Sequence, residues 1–398
     1  MKKFLAIFLM IVMCVTVLAA CKGDDPDDEK SVNGENQSEN PNDVSNDPDA
    51  SYKDAEGHYR PKDPVVKQDG KTFSIIVRGA VSGTYQSDDF TTDSEMYGDL
   101  LNNAVQERNN RVEEDYNVKL EVNKSDTINE DIKLDIAGNT GAYDAVMPTL
   151  PFLSVLAADN YLVDLKTLEK FDLDAPWWDK NCTEAFSINN KVYFTTGDIT
   201  ILNKVCTPSI LFNKPMIKKY NLENPYDLVK NKKWTFDKMV EMAKAVNNIN
   251  TPDGSYSDDN IYGMVSSYGD AISFYRASGE RICSKNADDL PELYIGSTDR
   301  SVTIAQKVLK TMNESDFLLF AQECEEPIWE TSFEVFYAGR ALFRPSGFSA
   351  TTKARKRSEI EFGILPFPLM DSTQEKYTTG CGTGEVAGIA RCSTILKK

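Results

Sequence analysis

Histidine is almost missing from this chain. There is one among 398 residues, His58, and it lies in a polar, acidic stretch. The rest of the chain therefore cannot build a Ser-His-Asp or Cys-His pair, nor the imidazole set of most catalytic zinc sites. Basic charge is also scarce: 44 Lys and Arg face 62 Asp and Glu, for a formal net charge of -18. That argues against a nucleic-acid partner, which requires a basic footprint. No two cysteines are spaced C-x-x-C, so no structural zinc motif is present, and there is no ATP-binding P-loop. Beyond the first twenty residues no apolar run is long enough to span a bilayer. What survives of catalysis is carboxylate chemistry of the glycosidase kind, and no local motif asks for it. Neither a cofactor nor a metal is expected.

The amino terminus is a targeting segment. Lys2 and Lys3 precede an apolar run from Phe4 to Val17, and Leu18-Ala19-Ala20 lead into Cys21. This is the layout of a secretory signal peptide over residues 1–20. The LAAC sequence resembles a bacterial lipobox, which implies cleavage before Cys21, lipidation of its thiol and attachment to the extracellular face of the cell membrane. From residue 22 to 64, thirteen acidic residues stand against five basic ones, with almost no aliphatics. Such a segment cannot bury enough apolar surface to offset its ordering entropy, so residues 21–69 are expected to form a disordered tether. Six cysteines remain after Cys21: Cys182, Cys206, Cys283, Cys324, Cys381 and Cys392. An even number permits disulfides, but the irregular spacing favours buried free thiols.

Residues 71–80 read as a buried strand. Residues 94–114 carry apolar residues at helical spacing, among them Leu100, Leu101, Ala104 and Val105, with Asp93 or Ser94 as cap. YNVKLEV alternates as a strand, NEDIKLDIAG is a helix, YDAVMP is a short strand, and PFLSVLAADNYLVDL begins as a helix. This rhythm predicts an α/β fold with a parallel sheet. Further on, TPSILFNKPMIKKYNL is a strand and a helix. KWTFDKMVEMAKAVNNI is an amphipathic helix capped by Thr235, with Phe236, Met239, Val240 and Ala243 inward. ETSFEVFYAGRALFRPSG is a helix then a strand, EFGILPFPL a strand into a proline turn, and EVAGIARCSTILKK a strand running out of the core into a basic tail.

The ordered series AYDAVMPTLPFLSVLAADNYLVDL, KVYFTTGD, SILFNKPMIKKYNLENPYDLVKNKKWTFDKMVEMAKAV, FEVFYAGRALF and EFGILPFP resembles extracellular solute-binding proteins of carbohydrate ABC importers, the group that includes maltose-binding protein. The resemblance covers most of residues 70–390. It implies a two-lobed, periplasmic-binding-protein-like fold with crossing hinge strands near 199–211 and 340–346. Lobe one would hold residues 70–200 and 343–398, and lobe two residues 201–342. On size and resemblance the second lobe is expected to be incomplete, exposing apolar surface. The implied partners are a carbohydrate ligand and ABC permease subunits, with an ATPase on the cytoplasmic side.

Sugars need aromatic planes for their C–H faces and polar side chains for their hydroxyls. Candidates at strand ends are Tyr85 and Asp88, then Pro148 and Thr149, then Asp198 before the first crossing. Tyr268 and Asp270 match the family's second-lobe aromatic contact. Ser346 and Phe348 follow the return strand, where the family often has a tryptophan. Trp177 and Trp178 point to opposite sides of an extended chain, and packing is expected of both. TPDGSYSDDN loses three ligand positions of the calcium-loop template, with Asn260 at the twelfth, and reads as a surface turn. Three alternatives stay open: a polysaccharide-acting surface enzyme, an adhesin or sensor, and a binder of oligopeptides or other small solutes.

Overall fold

The structure, a computed structural model, describes residues 47–92, 99–251, 256–257, 259–314, 316–357, 360–380 and 386–393. The expected signal peptide, Cys21 and the expected tether up to residue 46 lie outside the described residues. The chain divides into two units between Tyr59 and Arg60, and of the first only residues 47–59 are described. In the first, a short 3-10 turn spans Ala50–Tyr52, and a tight turn pairs the Asp54 N–H with the His58 carbonyl at 2.9 Å. Disorder was expected across residues 21–69, but the stretch from 47 on has local structure. Tyr52 is buried, and the turn N–H groups find partners. Residues 60–69 belong to the larger unit. Arg60 pairs with Asp115 at 3.0 Å, and the Gln68 N–H donates to the Tyr116 carbonyl at 2.7 Å.

In chain order the strands are β1 (Lys71–Arg78), β2 (Val118–Ser125), β3 (Ala145–Met147), β4 (Phe194–Thr195), β5 (Pro208–Asn213), β6 (Tyr262–Ser266), β7 (Cys283–Lys285), β8 (Pro291–Leu293), β9 (Leu318–Phe320), β10 (Ala341–Gly347), β11 (Phe362–Leu365) and β12 (Ala387–Gly388). The first sheet has the order β2-β1-β3-β12-β4. β1 is parallel to both neighbours, as the strand–helix rhythm predicts. β12, expected to leave the core, is instead inserted antiparallel between β3 and β4. Behind it Cys392 is buried, and Ser393 Oγ donates to Asp144 Oδ1 at 3.0 Å. The second sheet has the order β11-β5-β10-β6-β9.

Two further expectations are corrected. The helix expected over 94–114 spans Leu100–Tyr116. Asp99 is its cap, accepting from the N–H groups of Leu101 and Asn102 at 3.0 Å. Residues 93–98, with the expected caps, lie outside the described residues. Leu100 is 88% exposed, Leu101 and Ala104 are exposed too, and Val105 alone of that helix is buried. The return to the first sheet does not occur at 340–346. β10 and β11 both flank β5 in the second sheet, because their apolar residues fill its core. The chain returns only between residues 366 and 386.

The second sheet's core is built as its periodicity predicts. In the helix Phe236–Val246, Thr235 Oγ1 accepts the Lys238 N–H at 3.2 Å, and Phe236, Met239, Met242, Ala243 and Val246 face inward. The first part of the return segment is pinned to this core. Trp234 Nε1 donates to the Pro366 carbonyl at 2.9 Å, and the Phe236 N–H donates to the Leu369 carbonyl at 2.7 Å. Asp371 accepts from the Thr373 hydroxyl and pairs with Arg300 at 3.0 Å. Among the described residues, exposed large apolar side chains occur in both halves. An apolar cavity of about 110 Å³ lies against the first sheet, lined by Phe73, Phe90, Met147, Phe171, Trp178 and Ile199 among others. No helix among the described residues is long and apolar enough to cross a membrane.

The Thr373 hydroxyl and the Arg300 guanidinium hold the Asp371 carboxyl down at about 2. A depressed carboxyl contributes stability that is complete above its unfolded value and is lost as pH falls through the folded one. Urea unfolding should therefore show a loss between about pH 4 and pH 2 that is smaller in Asp371→Asn. Equal acid limbs in the two proteins would remove Asp371 as a contributor.

Candidate functional site

Strands of both sheets deliver candidate residues at their carboxyl ends, where open α/β sheets bind ligands. Val77 of β1 pairs with Met147 of β3, so Gly79 and Pro148 leave the first sheet at one edge. β4 is parallel to β3 through the intervening β12, so Thr196–Asp198 leave at that edge too. Tyr85, Asp88, Pro148, Thr149 and Asp198 all follow these three ends. Tyr85 is exposed and closes a 3-10 segment bent at Gly83. Asp88 is exposed and paired with Lys124 at 2.6 Å. Pro148 is buried, so its ring contributes packing. Thr149 heads the helix Leu150–Ala158, and its hydroxyl caps no N–H.

Asp198 is the most available of these. Its side chain is 73% exposed, and Lys204 lies 4.0 Å away. Its N–H donates to the Trp177 carbonyl at 2.9 Å. Gly197 packs so closely there that a Cβ would sit 2.0 Å from the same oxygen. Trp178 stacks on Phe171 with ring centroids 5.1 Å apart, in the small apolar cavity. At about 110 Å³ and with almost no polar lining, that cavity does not suit a sugar.

In the second sheet the registers Phe343↔Met264 and Met264↔Leu318 bring the ends of β10, β6 and β9 to one edge. Exposed aromatics follow all three. Phe348, 41% exposed, comes after β10, and Tyr268, 57% exposed, comes after β6. Trp329, 53% exposed, begins the helix Ile328–Tyr337 that follows β9. The Tyr268 ring lies 4.9 Å from that of Phe320, and its N–H donates to Gln322 Oε1 at 3.3 Å. The Ser346 carbonyl faces Ser209 of β5.

Asp270 does not present its carboxylate to the edge. Oδ2 accepts from the Ser267 N–H at 2.7 Å and from Ser266 Oγ at 3.0 Å. Enclosure raises its carboxyl above the usual value, while Arg344 opposes that rise. Asp270 therefore holds the turn that carries Tyr268.

The two edges meet in the segment 196–207. Asp89 is buried and accepts from Thr200 Oγ1 at 2.8 Å and from the Ile201 N–H, tying the first half to this crossing. At the other end the Phe348 N–H donates to the Thr207 carbonyl at 3.0 Å. Sequence reasoning missed Asp89, Trp329 and Arg344. None left a local signal: Trp329 stands three and seven residues before the buried Ser332 and Phe336, so its spacing reads as core.

Asn260 is buried, donates to Tyr262 Oη and Thr251 Oγ1, and accepts the Asn250 N–H, which accounts for it structurally. Residues 252–255 and 258 of that turn lie outside the described residues. Cys182, Cys283, Cys324 and Cys392 are free thiols, with Cys283 exposed, and Cys381 lies outside the described residues. Burial pushes Cys182 up to about 12 and Cys392 up to about 11.

The family profile for bacterial extracellular solute-binding proteins matches residues 92–318. No curated protein matches by sequence. Among solved structures, a cyclo/maltodextrin-binding protein complexed with maltotetraose has a TM-score of 0.54 and 15% identity, covering 82% of this chain and 72% of that one. A maltose-binding periplasmic protein from Listeria monocytogenes, in complex with maltose, has a TM-score of 0.50 and 15% identity over 83% and 73%. UspC of M. tuberculosis has a TM-score of 0.51 and 12% identity over 81% and 74%. At these identities the likeness is one of fold: two mixed α/β halves.

Proposed function

Since the chain belongs to the bacterial extracellular solute-binding protein family, we propose that it captures a sugar or oligosaccharide and delivers it to an ABC permease. Capture would occur by closure of two lobes, one built on each sheet, about crossings at 196–207 and 366–386. The lipobox at Cys21 would anchor the chain to the outer face of the membrane, and the tether would hold it near its permease. Such tethering raises effective concentration without a new contact.

The observation that carries the sugar reading is the row of exposed aromatics, Phe348, Tyr268 and Trp329, after three adjacent strands of one sheet. Aromatic planes suit the C–H faces of sugar rings. Asp198, Asp88 and Thr149, at the matching edge of the other sheet, would take hydroxyls. Two relatives in fold that were solved with maltotetraose and with maltose add support. The chemistry asked of the site is binding without turnover.

A thermal-shift screen against glycans, peptides and divalent metals tests this, because a ligand of the native state raises apparent stability. A glycan should stabilise the protein and be recovered intact. Stabilisation by peptides alone would replace the sugar with a peptide, and a cleaved glycan would make the protein an enzyme. Asp198→Ala sharpens the test. The side chain is largely exposed, so its loss should leave the melting temperature within about a degree. A hydrogen bond that a sugar hydroxyl donates to a carboxylate contributes about 1.5–3 kcal/mol, so affinity should fall about tenfold or more. Unchanged affinity would take Asp198 out of the site.

A further inference from the structure

The row of exposed aromatics has one basic end. Phe348 leads into the helix Ser349–Arg357, which carries Lys353, Arg355, Lys356 and Arg357. From residue 340 to 358 there is no aspartate or glutamate, in a chain whose formal net charge is -18. Ala350 and Ala354 are buried in the core against this side of the second sheet, which fixes the inner face of the helix. The Phe348 carbonyl accepts the Thr351 N–H at 2.9 Å, so Phe348 opens the first turn. Arg355 stands seven positions later and shares the face of Phe348, away from the buried alanines. Along the axis that separation is about 10 Å. Lys353, Arg355 and Lys356 are exposed and make no ion pair among the described residues, whereas Arg357 pairs with Glu334.

The crossing adds a cation beside the same turn. A Cβ on Gly347 would sit 3.6 Å from the carbonyl of Val205, the neighbour of Lys204. The Lys204 side chain is 75% exposed and lies 4.0 Å from Asp198, whose charge it offsets. The other end of the row is acidic. Glu325, Glu326 and Glu330, all exposed, flank Trp329. β10, β6 and β9 are consecutive in the sheet, so the two ends are two strand spacings apart, roughly 10 Å. A ligand lying along the row therefore meets opposite charge at its two ends. An anionic group is repelled beside Trp329 and attracted beyond Phe348. Guanidinium and ammonium groups pair with carboxylates and with sulfate esters alike.

We propose that the ligand is an oligosaccharide acidic at one end. Its neutral rings lie over Trp329 and Tyr268, and a carboxylate or sulfate ester beyond Phe348 meets Arg355 and Lys356. Lys353 and Lys204 strengthen the local positive potential. This rests on the reading of sugar capture at the aromatic row, and adds to it the class of sugar and its direction of binding.

The test is calorimetry on the full chain with length-matched sets of malto- and xylo-oligosaccharides: neutral, carrying one terminal uronate, and carrying one terminal sulfate ester. In at least one set an acidic member should bind about tenfold tighter than the neutral one at low ionic strength, the scale of two exposed ion pairs. Whether the uronate or the sulfate gains identifies the anion. High salt should erase the advantage, because exposed charges are screened. A variant carrying Arg355→Ala and Lys356→Ala should erase it too, with neutral affinity and melting temperature unchanged, since both side chains are exposed. Arg355→Lys alone should keep most of it. Equal or tighter binding of the neutral members would overturn the acidic class and leave sugar capture standing. An acidic preference that survives in the double variant would overturn the role of this helix. If no member of any set binds, sugar capture and the acidic class fall together.

Discussion

Trp234→Ala should destabilise the protein by about 3–5 kcal/mol, the range for truncating a large buried aromatic. Trp234 is fully buried, with its ring centroid 5.4 Å from that of Phe343 at the centre of the second sheet. Its indole N–H also holds the Pro366 carbonyl at 2.9 Å, where the chain leaves β11 for the first sheet. The substitution therefore opens a cavity and frees the start of one crossing. Urea unfolding gives the stability change, and hydrogen exchange should show faster opening over residues 366–371. A loss below about 1 kcal/mol would mean that the core collapses around the site.

Arg344→Met should cost about 1–3 kcal/mol, because it takes the donor away from the Val265 carbonyl and the Ser332 hydroxyl. Arg344 lies in β10 at 2% exposure. It donates to the Val265 carbonyl at 3.2 Å and to Ser332 Oγ at 3.1 Å, and stacks 4.3 Å over the Phe333 ring. Its charge opposes the desolvation of Asp270. With Arg344→Met, Asp270 is left enclosed without that cation. Adding Asp270→Asn should then restore part of the loss, a coupling that a double-mutant cycle reads directly. If the double variant is no more stable than Arg344→Met alone, the charge of Asp270 is not what Arg344 supports. The pair matters to the site because Asp270 holds the turn that presents Tyr268.

The parts of the fold legible in the sequence are those set by local pattern. β1 is a run of β-branched residues, and the helix Phe236–Val246 has a strong apolar stripe and a threonine cap. What failed depended on distant neighbours. β12 has two residues, and only its insertion between β3 and β4 makes it a core strand. Leu100 and Leu101 sit at helical spacing yet are exposed among the described residues, and Asp99 supplies the cap. β10 and β11 follow a helix and a turn that fit either sheet. Among the candidate residues, those after strand ends were found by rule. Asp89 bonds Thr200 across 111 positions, and Ser187 meets Asp289 across 102, separations at which single-residue patterns carry no signal.

Closure of two lobes on a sugar that it leaves unaltered is measurable in one titration. Calorimetric titration of the tether-free chain, residues 60–398, with maltodextrins and other oligosaccharides tests it most directly, provided the product mixture is then analysed. The account predicts a saturable one-to-one heat with at least one oligosaccharide, a contraction in small-angle scattering at saturation, and sugar recovered at its original length. Heat from peptides alone, binding without contraction, or shortened sugar would contradict it.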